Sequence, residues 1–122
     1  MGNTALHEAV KSGNIQAVRS LLCENSSLDY VNSSDAVYHN TALHYAVRAC
    51  NLEAIDILLI HGANPNTKNS YGHTPLHYAC SKGSLDFIKL LLKHGADSNV
   101  QNLNLDTPFH LAARHCGFEI IK

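Results

Sequence analysis

Nine histidines and four cysteines give this 122-residue chain side chains that can bind zinc or form catalytic thiol–imidazole pairs. Four of the histidines close the tetrapeptides TALH, TALH, TPLH and TPFH, at His7, His44, His77 and His110. Because each belongs to a separate copy of one unit, packing of those units places them at least about 8–10 Å apart. Zinc requires all its ligands within about 2.3 Å of one ion. We therefore predict no metal site and no cofactor.

The cysteines, at positions 23, 50, 80 and 116, lack paired spacing such as C-x-x-C, which indicates reduced thiols in an intracellular protein. Cys50 and Cys116 occupy equivalent sites two repeats apart, too far for a disulfide. His115 is adjacent to Cys116, but neighbouring side chains on a turn diverge. The chain also lacks G-x-S-x-G, P-loop and H-E-x-x-H motifs. We predict no catalytic residues and no enzymatic activity.

Charge and hydropathy exclude further classes of function. The formal net charge is −1, and the nine Lys and Arg residues are scattered, so we predict no nucleic-acid partner. No apolar stretch approaches the roughly 18 residues of a membrane span, and the N-terminus lacks the pattern of a signal peptide. We expect an intracellular protein, cytoplasmic or nuclear, with no membrane partner.

Short helices position the motif histidines. In TPLH, Thr74 is an N-cap, Pro75 fits the first helical position, and His77 can reach back to the cap as in a capping box. Gly13 and Gly83 suit the ends of such helices. A second helix follows each one and carries a Leu-Leu pair, for example Leu85, Ile88, Leu91 and Leu92 on one apolar face. Gly62 and Gly95 should end these second helices, with Asn25 in the same role in repeat 1.

This helix–helix–turn unit of 33 residues with its T-P-L-H motif resembles the ankyrin repeat, and residues 74–100 are close to a consensus copy. The resemblance covers essentially the whole chain. It implies an all-α repeat solenoid, an ankyrin array of stacked antiparallel helix pairs with β-hairpin finger loops. We expect one domain, 1–122, with repeats at about 1–32, 33–69, 70–102 and 103–122, the last one truncated.

The chain departs from the family pattern at several turns. Cys50 and Cys116 replace the Gly expected before the second helix, either with slight strain or as small residues that fit. His39 and Leu105 replace the Gly of the finger. Alignment of Asn32 with Asn69 and Asn102 places four extra residues of repeat 2 at the tip of the first finger. This extension is either a harmless lengthening of a loop or a finger that contacts a partner. Trimming residues 34–37 is expected to preserve the fold and, in the second case, to weaken partner binding.

The resemblance implies a non-catalytic module that binds a protein partner on its concave face and fingers. Aromatic residues and Arg dominate interface energetics, so exposed residues of these types at variable positions are the strongest candidates. Tyr45 and Tyr78 either form an aromatic strip or are partly buried between repeats. The predicted contact residues are Asp35, Val37, Tyr38, Arg48, Tyr71, His73, Lys82, Leu103 and Arg114.

Two further alternatives stay open at this point. The chain could be the targeting or substrate-recruiting segment of a larger enzyme or ubiquitin-ligase adaptor, with catalysis outside these residues. The sequence stops within the second helix of repeat 4, as expected for a slice of a longer array or for a short protein whose end docks on a partner or a second copy.

Overall fold

The structure, a computed structural model, describes residues 4–25 and 27–116, with side chains up to Ala113. Eight helices follow one another in these residues. They are α1 (Ala5–Ser12), α2 (Ile15–Glu24), α3 (Leu28–Val31), α4 (Ala42–Arg48), α5 (Leu52–Ile60), α6 (Pro75–Lys82), α7 (Leu85–Lys93) and α8 (Pro108–Cys116). Inner helix α4 packs between α1 and α6, outer helix α5 packs between α2 and α7, and α8 packs on α6. The predicted all-α repeat array is confirmed.

Each inner helix begins with the same reciprocal cap. The Thr41 N–H donates to His44 Nδ1 at 3.1 Å, and Thr41 Oγ1 accepts from the His44 N–H at 3.4 Å. Thr4, Thr74 and Thr107 make the same pair of bonds with the histidine three residues later. The sequence prediction of a histidine-containing capping box is therefore confirmed.

The other ring nitrogen of these histidines connects one repeat to the next. Because Nδ1 accepts a backbone N–H, Nε2 carries the hydrogen and donates. His44 Nε2 lies 2.9 Å from the carbonyl oxygen of His73, and His77 Nε2 lies 2.9 Å from that of Asp106. His7 Nε2 lies 2.9 Å from the carbonyl oxygen of Ser33, which precedes the first finger. Three of the motif histidines, His7, His44 and His77, thus each hold the loop that follows the next outer helix.

The core is built from leucines at equivalent positions of the inner and outer helices. Leu6, Leu43 and Leu76 of the inner helices are 0–1% exposed. Ala46 and Ala79 are fully buried where the inner helices approach each other. In α7, Phe87, Ile88 and Leu91 are buried, whereas Leu85 and Leu92 are exposed. The apolar face predicted for this helix was therefore wrong at two of its four positions.

The helix ends follow the expected pattern except at the end of α2. Gly13 and Gly83 end α1 and α6 with φ of 74° and 71°. Cys50 adopts φ 58° at the equivalent turn, in the left-handed region where a Cβ is unfavourable, so the strained alternative holds. Asn25 has φ −145°, so its predicted left-handed cap is wrong. The chain there continues into the extra helix α3 instead.

Hydrogen bonds between repeats show that most of the four additional residues assigned to repeat 2 lie outside the first finger. Asn32 Oδ1 accepts from Asn64 N–H at 2.6 Å, and its Nδ2 donates to Gly62 O at 3.2 Å. Asn66 makes the same two bonds with Asp97 and Gly95, at 2.7 and 3.1 Å. Asn32 therefore corresponds to Asn66, and its predicted alignment with Asn69 was wrong.

Asp35, not Asn32, is the counterpart of Asn69 and Asn102. Each of these three residues closes its finger with a backbone N–H donated to the carbonyl just before the next Thr, at 2.9–3.0 Å. The first finger then holds five residues (36–40) where the second holds four (70–73). One extra residue lies in the finger, and the other three lie before Asn32, around α3. The prediction that all four lie at the finger tip is corrected.

Candidate functional site

An open groove of about 400 Å³ lies where the first two fingers meet the inner helices α4 and α6. We call it the aromatic groove. Its lining residues are Tyr38, Asn40, Arg48, Tyr71, His73 and Tyr78. Four of these six were predicted as contact residues from the sequence.

The rings of the aromatic groove form a continuous series from finger tip to floor. Tyr38 and Tyr71 stack with centroids 6.1 Å apart and an interplanar angle of 25°. Tyr71 lies 6.1 Å from His73, and His73 lies 5.5 Å from Tyr78. Since Tyr38 and Tyr71 remain 46% and 53% exposed, their rings offer an apolar surface to a ligand.

Backbone contacts between fingers set the positions of these rings. Ser70 N–H donates to Tyr38 O at 2.8 Å, and Leu103 N–H donates to Tyr71 O at 3.0 Å. A Cβ on Gly72 would lie only 2.9 Å from Leu103 N, so the second finger needs glycine for close approach to the third. His39 and Leu105 adopt φ of 57° and 66° at the equivalent positions.

Asp35 supports the first finger from inside. Its carboxylate accepts from the N–H groups of Tyr38 and Asn40 at 3.0 and 3.2 Å, and from the Tyr45 hydroxyl. The residue is 2% exposed. The prediction of Asp35 as an exposed contact residue is therefore corrected, because the residue is buried and its carboxylate is already hydrogen-bonded within the fold. Trimming residues 34–37 would remove this carboxylate, so the expectation of a preserved fold no longer stands.

Asn69 occupies the corresponding place beneath the second finger, but its amide donates hydrogen bonds as well as accepting them. Its Oδ1 accepts from the N–H groups of Tyr71 and His73, at 2.9 and 3.0 Å. Its Nδ2 donates to Asn40 Oδ1 at 2.9 Å and to the Tyr78 hydroxyl oxygen at 2.6 Å. Tyr78 is thus an acceptor here, whereas Tyr45 donates to Asp35.

Arg48 provides the charge of the aromatic groove. Its guanidinium lies 5.9 Å from the centroid of the Tyr78 ring, a cation–π arrangement. Burial lowers the pKa of His73 below 6.5, assisted by nearby His77 and opposed by Asp106, so His73 is neutral at pH 7. Burial raises the pKa of Tyr78 above 10, which keeps its hydroxyl protonated. The groove therefore carries a positive charge at neutral pH.

The remaining predicted residues lie at other places. Val37 and Leu103 are 65% and 72% exposed on the finger tips beside the groove. Lys82 is exposed at the end of α6 and does not line the groove. Arg114 lies outside the residues whose side chains are described.

Asn40 and Tyr78 line the aromatic groove although neither was among the predicted contact residues. Tyr45 is 9% exposed, in agreement with partial burial between repeats, while half-buried Tyr78 lines the groove. The sequence left both outcomes open for this pair. Asn40 was missed as an individual contact residue, although it directly precedes Thr41 as His73 precedes Thr74.

Two kinds of feature are absent from the part of the chain that the structure describes. Within residues 4–25 and 27–116, no three His, Cys, Asp or Glu residues are grouped so as to hold a metal ion. In the same part of the chain, no helix has the length and apolar character needed to cross a membrane.

Comparison with known proteins agrees with the architecture. A family model described as "Ankyrin repeats (many copies)" matches residues 6–59, 43–92 and 80–122. The chain belongs to the ankyrin-repeat family. Ankyrin repeats generally act in protein–protein interaction, and the family is typically non-catalytic. No curated protein shows a significant sequence match to this ankyrin chain.

Proposed function

We propose that the chain is a non-catalytic module that binds a protein partner through the aromatic groove and the finger tips. The observation that carries the proposal is the series of exposed and half-buried rings beside the Arg48 guanidinium. Tyrosine and arginine are enriched among the hot-spot residues of protein interfaces. Their clustering in one concave site favours partner binding there.

Exposed apolar side chains extend this surface along the finger tips. Five of them lie on three successive fingers, which are joined by the Ser70–Tyr38 and Leu103–Tyr71 backbone bonds. They are Val37, Tyr38, Tyr71, Leu103 and Leu105, each 46–72% exposed. Contiguous exposed apolar surface of this kind is typical of interaction sites.

A larger groove of about 640 Å³ lies between the outer helices α5 and α7. Its lining residues are Leu52, Glu53, Asp56, Asp86, Lys89, Leu90 and Lys93. They include no aromatic residue or Arg, and the charged side chains are of both signs on exposed helix surface. We favour the aromatic groove because composition and preformed stacking predict binding energy better than volume does.

Affinity capture from cell lysate with quantitative mass spectrometry tests the proposal. The groove variant carries Tyr38→Ala, Arg48→Ala and Tyr71→Ala, three exposed side chains whose loss leaves the core intact. The control variant carries Leu52→Ala, Asp86→Ala and Lys89→Ala on the outer face. Circular dichroism establishes that both variants remain folded.

We expect the wild type and the outer-face variant to recover the same proteins, and the groove variant to lose them. Equal recovery by the groove variant, or loss confined to the outer-face variant, would refute the assignment of the binding site.

A further inference from the structure

Equivalent tyrosines in repeats 2 and 3 use their hydroxyl groups differently. The Tyr45 hydroxyl donates its hydrogen to the Asp35 carboxylate, and this hydrogen is therefore not available to a ligand. At the equivalent position, Asn69 donates to the Tyr78 hydroxyl at 2.6 Å. Because the Tyr78 oxygen is an acceptor in that bond, its own hydrogen remains available to donate.

The available donor lies beside a cation. The Arg48 guanidinium lies over the same Tyr78 ring, and the groove lining contains no acidic side chain. Among the described residues, the ion pairs are Lys11–Glu8 and Arg19–Glu53, and Arg48 belongs to neither. One end of the aromatic groove therefore offers an arginine fork and a hydroxyl donor, while the other end offers the Tyr38–Tyr71 stack.

We propose that the aromatic groove binds an extended segment of the partner protein in which an acidic side chain adjoins an aromatic or large aliphatic one. The carboxylate accepts from the Arg48 guanidinium and the Tyr78 hydroxyl, and the apolar side chain packs on the Tyr38–Tyr71 stack. This inference rests on the proposed function and adds the chemistry of the partner.

Other ligand chemistries fit this groove less well. A lysine or methylated lysine would enter an aromatic site whose charge is already positive, so Arg48 disfavours it. A phosphorylated side chain carries nearly two negative charges and is usually met by several arginines. The groove lining contains one. A single carboxylate matches the single guanidinium in charge and in its bidentate geometry.

A random heptapeptide phage library panned on the full chain tests the inference. We expect enrichment of Asp or Glu at one fixed position, next to an aromatic or large aliphatic residue. Synthetic versions of the recovered peptide, with Glu, Gln or phosphoserine at that position, are then compared by fluorescence polarisation.

The Glu peptide should bind about tenfold more tightly than the Gln peptide, as expected for a charge-assisted bidentate bond. Arg48→Gln should abolish this preference, and Tyr78→Phe, which keeps the ring, should reduce it. Lys89→Gln makes the same charge change on the outer face and should leave the preference intact.

Three results would overturn the inference: equal binding of the Glu and Gln peptides, tighter binding of the phosphoserine peptide than of the Glu peptide, or no enrichment of any sequence. A consensus without an acidic residue whose binding is still lost in a Tyr38→Ala, Tyr71→Ala variant would overturn the inference and leave the proposed function supported. Peptides that bind this variant as well as the wild type would count against the proposed function itself.

Discussion

His44 makes this fold sensitive to acid at a predictable pH. The imidazole is fully buried, accepts from Thr41 N–H through Nδ1 and donates to His73 O through Nε2. The bond to Thr41 requires the neutral ring, because a proton on Nδ1 would face the Thr41 N–H, whereas Nε2 can donate to the His73 carbonyl in either protonation state. Burial lowers the pKa of His44 to about 4, although its bond to the His73 carbonyl opposes the shift.

The sign of the effect follows from comparing the folded and unfolded chains. The unfolded imidazole has a pKa of 6.5 and takes up a proton first as the pH falls. His44 therefore contributes its full stability above pH 6.5 and loses it progressively down to pH 4. One pKa unit corresponds to about 1.4 kcal/mol, so the complete loss is about 3 kcal/mol, and about 2 kcal/mol is lost by pH 5.

Urea unfolding followed by circular dichroism between pH 8 and pH 5 measures this loss. Burial also lowers the pKa values of His7 and His77, so the total decrease in the unfolding free energy should exceed the contribution of His44 alone. His44→Gln retains a side chain that can accept from the Thr41 N–H but does not titrate. It should be less stable at pH 8, with a pH dependence smaller by about 2 kcal/mol over this range.

His110→Gln is the matched control, because His110 forms the same cap with Thr107 but is exposed. Its change in unfolding free energy at pH 8 measures the cost of the same exchange at an exposed cap. If His44→Gln loses stability with falling pH as steeply as the wild type does, the account of His44 titration is refuted.

Three substitutions test other features of the fold by the same urea measurement. Cys50→Gly should stabilise the chain by about 1 kcal/mol, since glycine relieves the left-handed backbone at φ 58°, whereas Cys50→Ala should give no gain. Asp35→Ala should lower the free energy of unfolding by about 2 kcal/mol, because it leaves the buried Tyr45 hydroxyl and two N–H groups unpaired. Asp35→Asn should lower it by less than about 1 kcal/mol, because the amide can reproduce the Asn69 arrangement. Similar losses for both Asp35 variants would contradict the proposed equivalence with Asn69. Gly72→Ala should destabilise by about 2 kcal/mol, because its Cβ would meet Leu103 N at 2.9 Å and φ is 78°; an unchanged midpoint would show that the fingers can separate without loss.

Local interactions explain which parts of the structure could be predicted from the sequence. The Thr–His caps and the glycine helix ends involve residues within four positions of each other, so their residue types and spacing predict them directly. Asn32 shows where this reasoning fails. Its identity matches Asn69, but its partners are Gly62 and Asn64, about 30 residues away, and only those bonds reveal the register.

The residues of the aromatic groove could be predicted from the sequence only in part. Tyr38, Arg48 and Tyr71 were found because exposed aromatic residues and Arg stand out at variable positions. The different roles of Tyr45 and Tyr78 could not be found in this way, because they depend on whether an acid or an amide lies beneath each finger. The sequence shows Asp35 and Asn69, but the misplaced register concealed that they occupy equivalent sites.

The histidine bonds between repeats have a consequence for transplanting this binding surface. His44 begins an inner helix of one repeat but holds the carbonyl of His73, which belongs to the finger of the next repeat. Tyr38 and Tyr71 likewise come from successive fingers. A single repeat grafted into another array would carry half of the groove and would lack the histidine that anchors its finger. The smallest unit that carries both tyrosines together with His44 is therefore a pair of adjacent repeats, extending from Asp35 through α6, and the host array must supply a histidine in the place of His7.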